Sequence, residues 1–130
     1  MKKRILIILI IILALIILVT VLINAVLFFN PLLKSTESIR DDIIKQTPIG
    51  MSSRDVRATI ENHNNWSFSG GSRTRGYINP KNPPETRIVG VEHITANLGK
   101  KNPFIMVLAS WGFDENGKLI DVYVFTNLII

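Results

Sequence analysis

From Ile5 to Phe29 the chain is one apolar run, interrupted only by Thr20 and Asn24 and preceded directly by Lys2, Lys3 and Arg4. At about 1.5 Å per residue the run makes a helix of roughly 37 Å, enough to cross a hydrocarbon core of about 30 Å with some tilt. A cleaved secretory signal has a shorter apolar core, about 7–15 residues, and ends at small residues in an A-x-A-like pattern. Here Val21 to Phe29 offers a single small residue, Ala25, and closes on two phenylalanines. The chain has no cysteine, so lipoprotein processing is excluded. The reading is an uncleaved, single-pass anchor in the plasma membrane. Lys2, Lys3 and Arg4 hold its N-terminus in the cytoplasm, because the basic residues beyond the span, Lys34, Arg40 and Lys45, are dispersed among Glu37, Asp41 and Asp42. A lone Asn24 near one end of the span is tolerated there, although it has the chemistry to bond a partner helix.

That assignment changes what the charge means. The net charge of +5 invites a nucleic-acid reading, but three of the fifteen basic residues are Lys2, Lys3 and Arg4, leaving twelve against ten acidic ones. Such a balance is ordinary for a soluble domain, and no nucleic-acid partner is expected outside the cytoplasm. Without cysteine no disulfide supports the exposed part, which must fold on one small core.

The expected division is a basic cytoplasmic tip (1–4), a transmembrane helix (5–29), a juxtamembrane linker or helix (30–46) and an extracytoplasmic α+β domain (47–130). Pro31 closes the span. Ser35 to Lys45 carries Ile39, Ile43 and Ile44 on one helical stripe. This suits a stalk lying on its own domain or, alternatively, a partner-docking helix. A second helix runs from Ser53 to about Asn62. Ser52 caps it, Asp55 stands in the capping-box position, and Met51 and Val56 are spaced as a hydrophobic staple.

Strands follow. Trp66–Ser69 is short, Gly70-Gly71 reads as a turn into a strand Ser72–Ile78, and the prolines of Asn79–Thr86 mark an exposed loop. Ile88–Leu98 is a strand, or a strand and a helical turn, and Gly99–Pro103 is a turn. The closing hairpin pairs Phe104–Phe113 with Leu119–Thr126. In the second strand the alternation puts Leu119, Asp121, Tyr123 and Phe125 on one face and Ile120, Val122 and Val124 on the other. Asn116-Gly117 supplies positive φ for the turn. The fold class is α+β: the transmembrane helix, then short helices packed on a three- to four-stranded antiparallel sheet.

Two stretches resemble a known family. "PIGMSSRDVRATIE" is similar to the GMT-x-x-x-V helix opening of the SmpA/OmlA (BamE) family of small envelope proteins, and "WGFDENGKLIDVYV" resembles that family's closing hairpin. The order of helix then sheet is also similar, as in the related β-lactamase-inhibitor-protein-like folds. The resemblance implies a non-catalytic, extracytoplasmic role in envelope assembly or protein binding, with the spanning helix standing in place of the family's lipidated cysteine.

The inventory of reactive groups is thin, and neither catalysis nor a cofactor is expected. Only His63 and His93 are imidazoles. Glu61 with His63 and Glu92 with His93 lack strong metal spacings, so no metal site is expected. No serine sits in a G-x-S-x-G elbow. The most site-like stretch runs from Gly70 to Arg87, where Arg73, Arg75, Tyr77, Lys81 and Arg87 are the candidate binding residues. The expected partners are the lipid bilayer and another envelope protein. The alternative is an anionic ligand, a lipid headgroup or cell-wall polymer, at the outer face of the membrane.

Overall fold

The computed structural model describes residues 1–129. Helix α1 spans Lys2–Phe29. Its stretch Lys2–Val26 is long and apolar enough to cross a membrane, with a mean hydropathy of 3.8, and none of the most apolar part of that stretch is buried against the rest of the chain. Its two polar side chains turn inward on their own helix: Thr20 Oγ1 donates to the Ile16 carbonyl at 2.8 Å and Asn24 Nδ2 to the Thr20 carbonyl at 3.0 Å. Each side chain thus makes one hydrogen bond to its own helix.

After a 3-10 turn at Pro31–Leu33 come α2 (Thr36–Gln46) and α3 (Ser53–Asn62). Ser35 caps α2 by accepting the Ser38 N–H, and Ser52 caps α3 by accepting the Asp55 N–H at 3.1 Å. Ile39 and Ile43 of α2 and Val56 and Ile60 of α3 are buried in one core. The isoleucine stripe of α2 therefore lies on its own domain, and the folded unit starts before Thr47. Thr47 itself is fully buried: its hydroxyl donates to the Ile43 carbonyl and accepts the Trp111 indole N–H at 3.0 Å. One hydroxyl thus closes α2 and satisfies the largest buried side chain of the sheet.

The main sheet is antiparallel, in the order β1 (Ser67–Ser72), β4 (Glu92–Asn102), β5 (Ile105–Phe113), β6 (Leu119–Leu128). A two-stranded ribbon of β2 (Tyr77–Ile78) and β3 (Ile88–Val89) stands apart from it. Strand alternation sends Ile94, Ala96, Leu98, Val107, Ala109, Trp111, Phe113, Val122 and Val124 to the helices. The other face carries rows such as Thr95–Ser110–Tyr123 and Asn97–Leu108–Phe125.

Several local expectations are corrected by long-range pairing. Gly70-Gly71 is not a turn: both residues pair with β4, and a bulge falls between Phe68 and Gly70. A Cβ at Gly71 would lie 2.6 Å from the His93 carbonyl oxygen, so β4 itself demands that glycine. The expected strand Ser72–Ile78 shrinks to Tyr77–Ile78, and the proline-rich loop contains a 3-10 turn at Pro84–Thr86. Ile88–Leu98 breaks at Gly90 and contains no helical turn, while Gly99 to Asn102 continue β4 rather than turning.

At the start of β6, Phe113 pairs with Leu119 and Gly112 with Asp121, so Ile120 is an inserted residue. That bulge flips the register. Leu119 joins the core face with Val122, and Ile120 is exposed. The hairpin turn also differs in kind: Gly117 alone has positive φ, and Asp114 Oδ1 accepts the N–H groups of Asn116 and Lys118.

Candidate functional site

Arg73, Arg75, Lys81 and Arg87 are all exposed on the segment that leaves β1, forms the β2–β3 ribbon and returns to β4. Among the described residues the ion pairs are Lys34–Asp42 and Arg40–Asp121, so none of these four cations is neutralised by a carboxylate. Their backbone is nonetheless well held. Ser72 Oγ accepts the Thr74 N–H, and His93 Nδ1 donates to the Arg75 carbonyl at 2.7 Å. Asn79 N–H reaches the Arg87 carbonyl at 2.7 Å, Asn79 Oδ1 takes the Lys81 N–H, and Asn82 Nδ2 closes on the Thr86 carbonyl.

Tyr77 departs from the other four. It is 4% exposed, and its ring lies over Gly112, where a Cβ would come within 2.8 Å of Tyr77 Cε1. The approach also depends on Gly76, since a Cβ there would sit 2.0 Å from the Val89 carbonyl oxygen. Tyr77 then stacks on Tyr123, which stacks on Phe125, at centroid separations of 6.1 and 5.4 Å. Tyr77 is the pin that fastens the ribbon to the sheet, buried where the other four candidates are exposed. Its hydroxyl is buried without a hydrogen-bond partner among the described residues. Burial pushes the phenol well above its ordinary range, the Asp121 carboxylate pushes it further, and Arg40 partly opposes them.

The imagined metal quartet is dispersed. His93 sits at the start of β4 bonded to Arg75, whereas His63 ends α3, accepts the Asn65 N–H on Nδ1 and stacks on Trp66 at 3.9 Å. Burial lowers the His63 pKa and favours this neutral form. No three His, Asp or Glu side chains gather into a metal-holding group among the described residues.

Two features escaped the reading of the sequence. One is a cleft of about 780 Å³ where the chain leaves α1, lined by Asn30, Leu32, Lys45, His63, Trp66 and Lys100 among others. Neither Lys45 nor Lys100 is in an ion pair among the described residues. Its walls come from segments some 70 residues apart, so no local pattern could show it.

The other is the outer edge of β1. Residues Ser67 to Gly71 are all exposed, the strand carries no charge and no proline, and no hydrogen bond from outside the sheet reaches its backbone among the described residues. Arg57 stands over the Phe68 ring at 5.8 Å, and Arg73 and Arg75 follow the strand directly. An uncharged edge between basic groups was hidden because Gly70-Gly71 has the composition of a turn. Comparisons with protein-family models, with curated proteins and with solved structures gave no match.

Proposed function

We propose that this chain is a single-pass membrane protein with its N-terminus in the cytoplasm, whose extracytoplasmic α+β domain binds another envelope protein without catalysis, in the manner of a BamE-like assembly factor. The observation that carries this reading is the bare, uncharged edge of β1 running straight into Arg73 and Arg75. An unpaired strand edge is a template for an added strand, and cations beside it favour a segment with acidic residues. Two copies of this chain pairing through β1 would bring basic groups together, which favours a different protein as partner.

The test is crosslinking in intact cells from photoreactive residues at Ser67 and Ser69 of the full chain. One stoichiometric partner is expected, crosslinked through a single extended segment and lost in Arg73→Glu/Arg75→Glu. Scattered or absent crosslinks sink the reading. Orientation is tested separately: protease added to intact cells should remove the domain, and full protection contradicts an outward domain.

A second reading is favoured by one specific observation, the cleft where the chain leaves α1, whose lining includes Lys45 and Lys100, neither in an ion pair among the described residues. Here the domain holds an anionic ligand, a lipid headgroup or wall polymer. Salt-sensitive binding that is lost in Lys45→Glu/Lys100→Glu, with β1 variants unaffected, supports it over protein pairing. Binding indifferent to both substitutions removes it.

A further inference from the structure

In the folded domain the two most exposed apolar side chains lie at the same end of the sheet. Phe104 is 69% and Leu128 72% exposed. The Ile129 N–H bonds to the Phe104 carbonyl at 2.8 Å, which clamps the end of β6 to the β4–β5 turn. Two large apolar groups exposed at one end of the sheet carry a hydration cost unless something covers them.

Their position says what covers them. The 3-10 turn that follows α1 packs on the same end of β4: a Cβ at Gly99 would lie 3.1 Å from Leu32 Cδ1, and Leu32 is three residues past the end of the helix. Asn30 and Lys100 line one cleft. From Lys100 to the turn at Phe104 is about 7–13 Å at 3.3 Å per residue. The apolar tip therefore lies close to where α1 emerges, and Lys100 and Lys101 flank it. An aromatic and an aliphatic wedge with adjacent lysines is the composition of a membrane-interface anchor, the stems lying in the apolar zone and the ammonium groups reaching phosphates.

We propose that the β4–β5 tip, with Phe104 and Leu128 as the wedge, seats in the headgroup–acyl boundary of the bilayer that α1 crosses, giving the domain a second point of attachment. The proposal rests on α1 lying in a bilayer and is independent of what β1 or the cleft binds. With α1 as one point and the tip as another, the domain has a fixed orientation on the membrane instead of swivelling about Asn30-Pro31.

The chain contains no cysteine, so each single-cysteine variant carries one probe. The full chain in phosphatidylcholine vesicles is labelled with an environment-sensitive fluorophore at Phe104→Cys, at Leu128→Cys, and at Ile120→Cys near the opposite end of β6. The labels at 104 and 128 should be quenched by iodide at least about threefold less than the label at 120, and quenched by a lipid bearing a nitroxide high on its acyl chain.

Equal iodide quenching at all three sites overturns the proposal. Protection from iodide without nitroxide quenching also overturns it, because protein and not lipid then covers the patch. Since the cysteines remove wedge residues, a label at Asn127→Cys with Phe104 and Leu128 intact is the second measurement. It should be shielded, and should become aqueous in Phe104→Ser/Leu128→Ser. Resistance to alkaline carbonate extraction in the same vesicles reports whether α1 is embedded. A shielding failure with extraction resistance retained refutes the tip alone.

Discussion

β1 and β6 are the two edges of one sheet, and the chain treats them in opposite ways. Along β6 lies α2, and Arg40 reaches over the edge: its Nε donates to the Val122 carbonyl at 2.9 Å and its guanidinium pairs with Asp121. Asp121 Oδ1 in turn accepts the Val122 N–H at 2.8 Å. Two side chains thus satisfy both backbone groups that Val122 presents outward. Among the described residues nothing bonds to the outer backbone of β1 in this way, and the strand lacks even the lysine or proline with which exposed edges are commonly blunted. A chain that plugs one edge at Val122 and leaves the other bare distinguishes an edge closed for stability from one open for pairing.

The strongest way to break the contrast is to remove the cover from β6. Ile43 is 1% exposed and joins α2 to the core. Ile43→Ala deletes buried methylenes with little room to relax and should cost about 2–4 kcal/mol, read by denaturant unfolding. Amide exchange in β6 should accelerate along with it. If exchange rises in β1 instead, α2 is not what protects the edge.

Next in size is the ribbon pin. The buried Tyr77 hydroxyl lacks a partner among the described residues, so Tyr77→Phe should raise stability by about 1 kcal/mol, an inversion of the usual effect of trimming a core residue. The sign with pH follows. The folded phenol titrates above its ordinary value of 10.0, so the unfolded chain loses this proton first. Its contribution is complete below pH 10 and falls as pH rises beyond it. The alkaline loss should shrink in Tyr77→Phe, measured as melting temperature against pH; an unchanged profile means that the hydroxyl has a partner.

A smaller effect is expected at the β6 plug. Arg40 and Asp121 are more than a third exposed, so their ion pair is screened, and Arg40→Ala should cost only about 0.5–1 kcal/mol, mostly through the lost bond to Val122. Its sharper consequence is a second open edge, visible as concentration-dependent association of the full chain in detergent. A variant that stays monodisperse shows that α2 alone suffices to close β6.

What was legible in the sequence divides along the same line. The long apolar helix, the Ser52 cap and the α3 boundaries rest on residues contiguous in the chain, and local rules find them. Arg73, Arg75, Lys81 and Arg87 are exposed, and no carboxylate among the described residues pairs with them. The failures are long-range. Gly70-Gly71 is a strand because β4 pairs with it, Leu119 faces inward because of one inserted residue at Ile120, and Tyr77 is buried because Gly112, 35 positions away, leaves room for its ring. A period-two pattern cannot reveal a bulge, and nothing local in a basic loop shows that its tyrosine is buried over a distant glycine.

The smallest expected effect is the most discriminating. Ser69 is exposed at the β1 bulge, paired to no residue of β4. Ser69→Glu sets a charge on a solvent-facing edge, so the melting curve of the full chain should stay within about 0.5 kcal/mol of the parent. An added strand would have to desolvate that carboxylate, which strand pairing tolerates poorly. The variant should therefore fold normally and lose its crosslinked partner, while Arg73→Glu/Arg75→Glu loses the partner through charge. A folded Ser69→Glu protein that keeps its partner means that the basic segment binds without strand addition. A variant that unfolds means that the β1 edge is already covered within the domain, and the contrast between the two edges is gone.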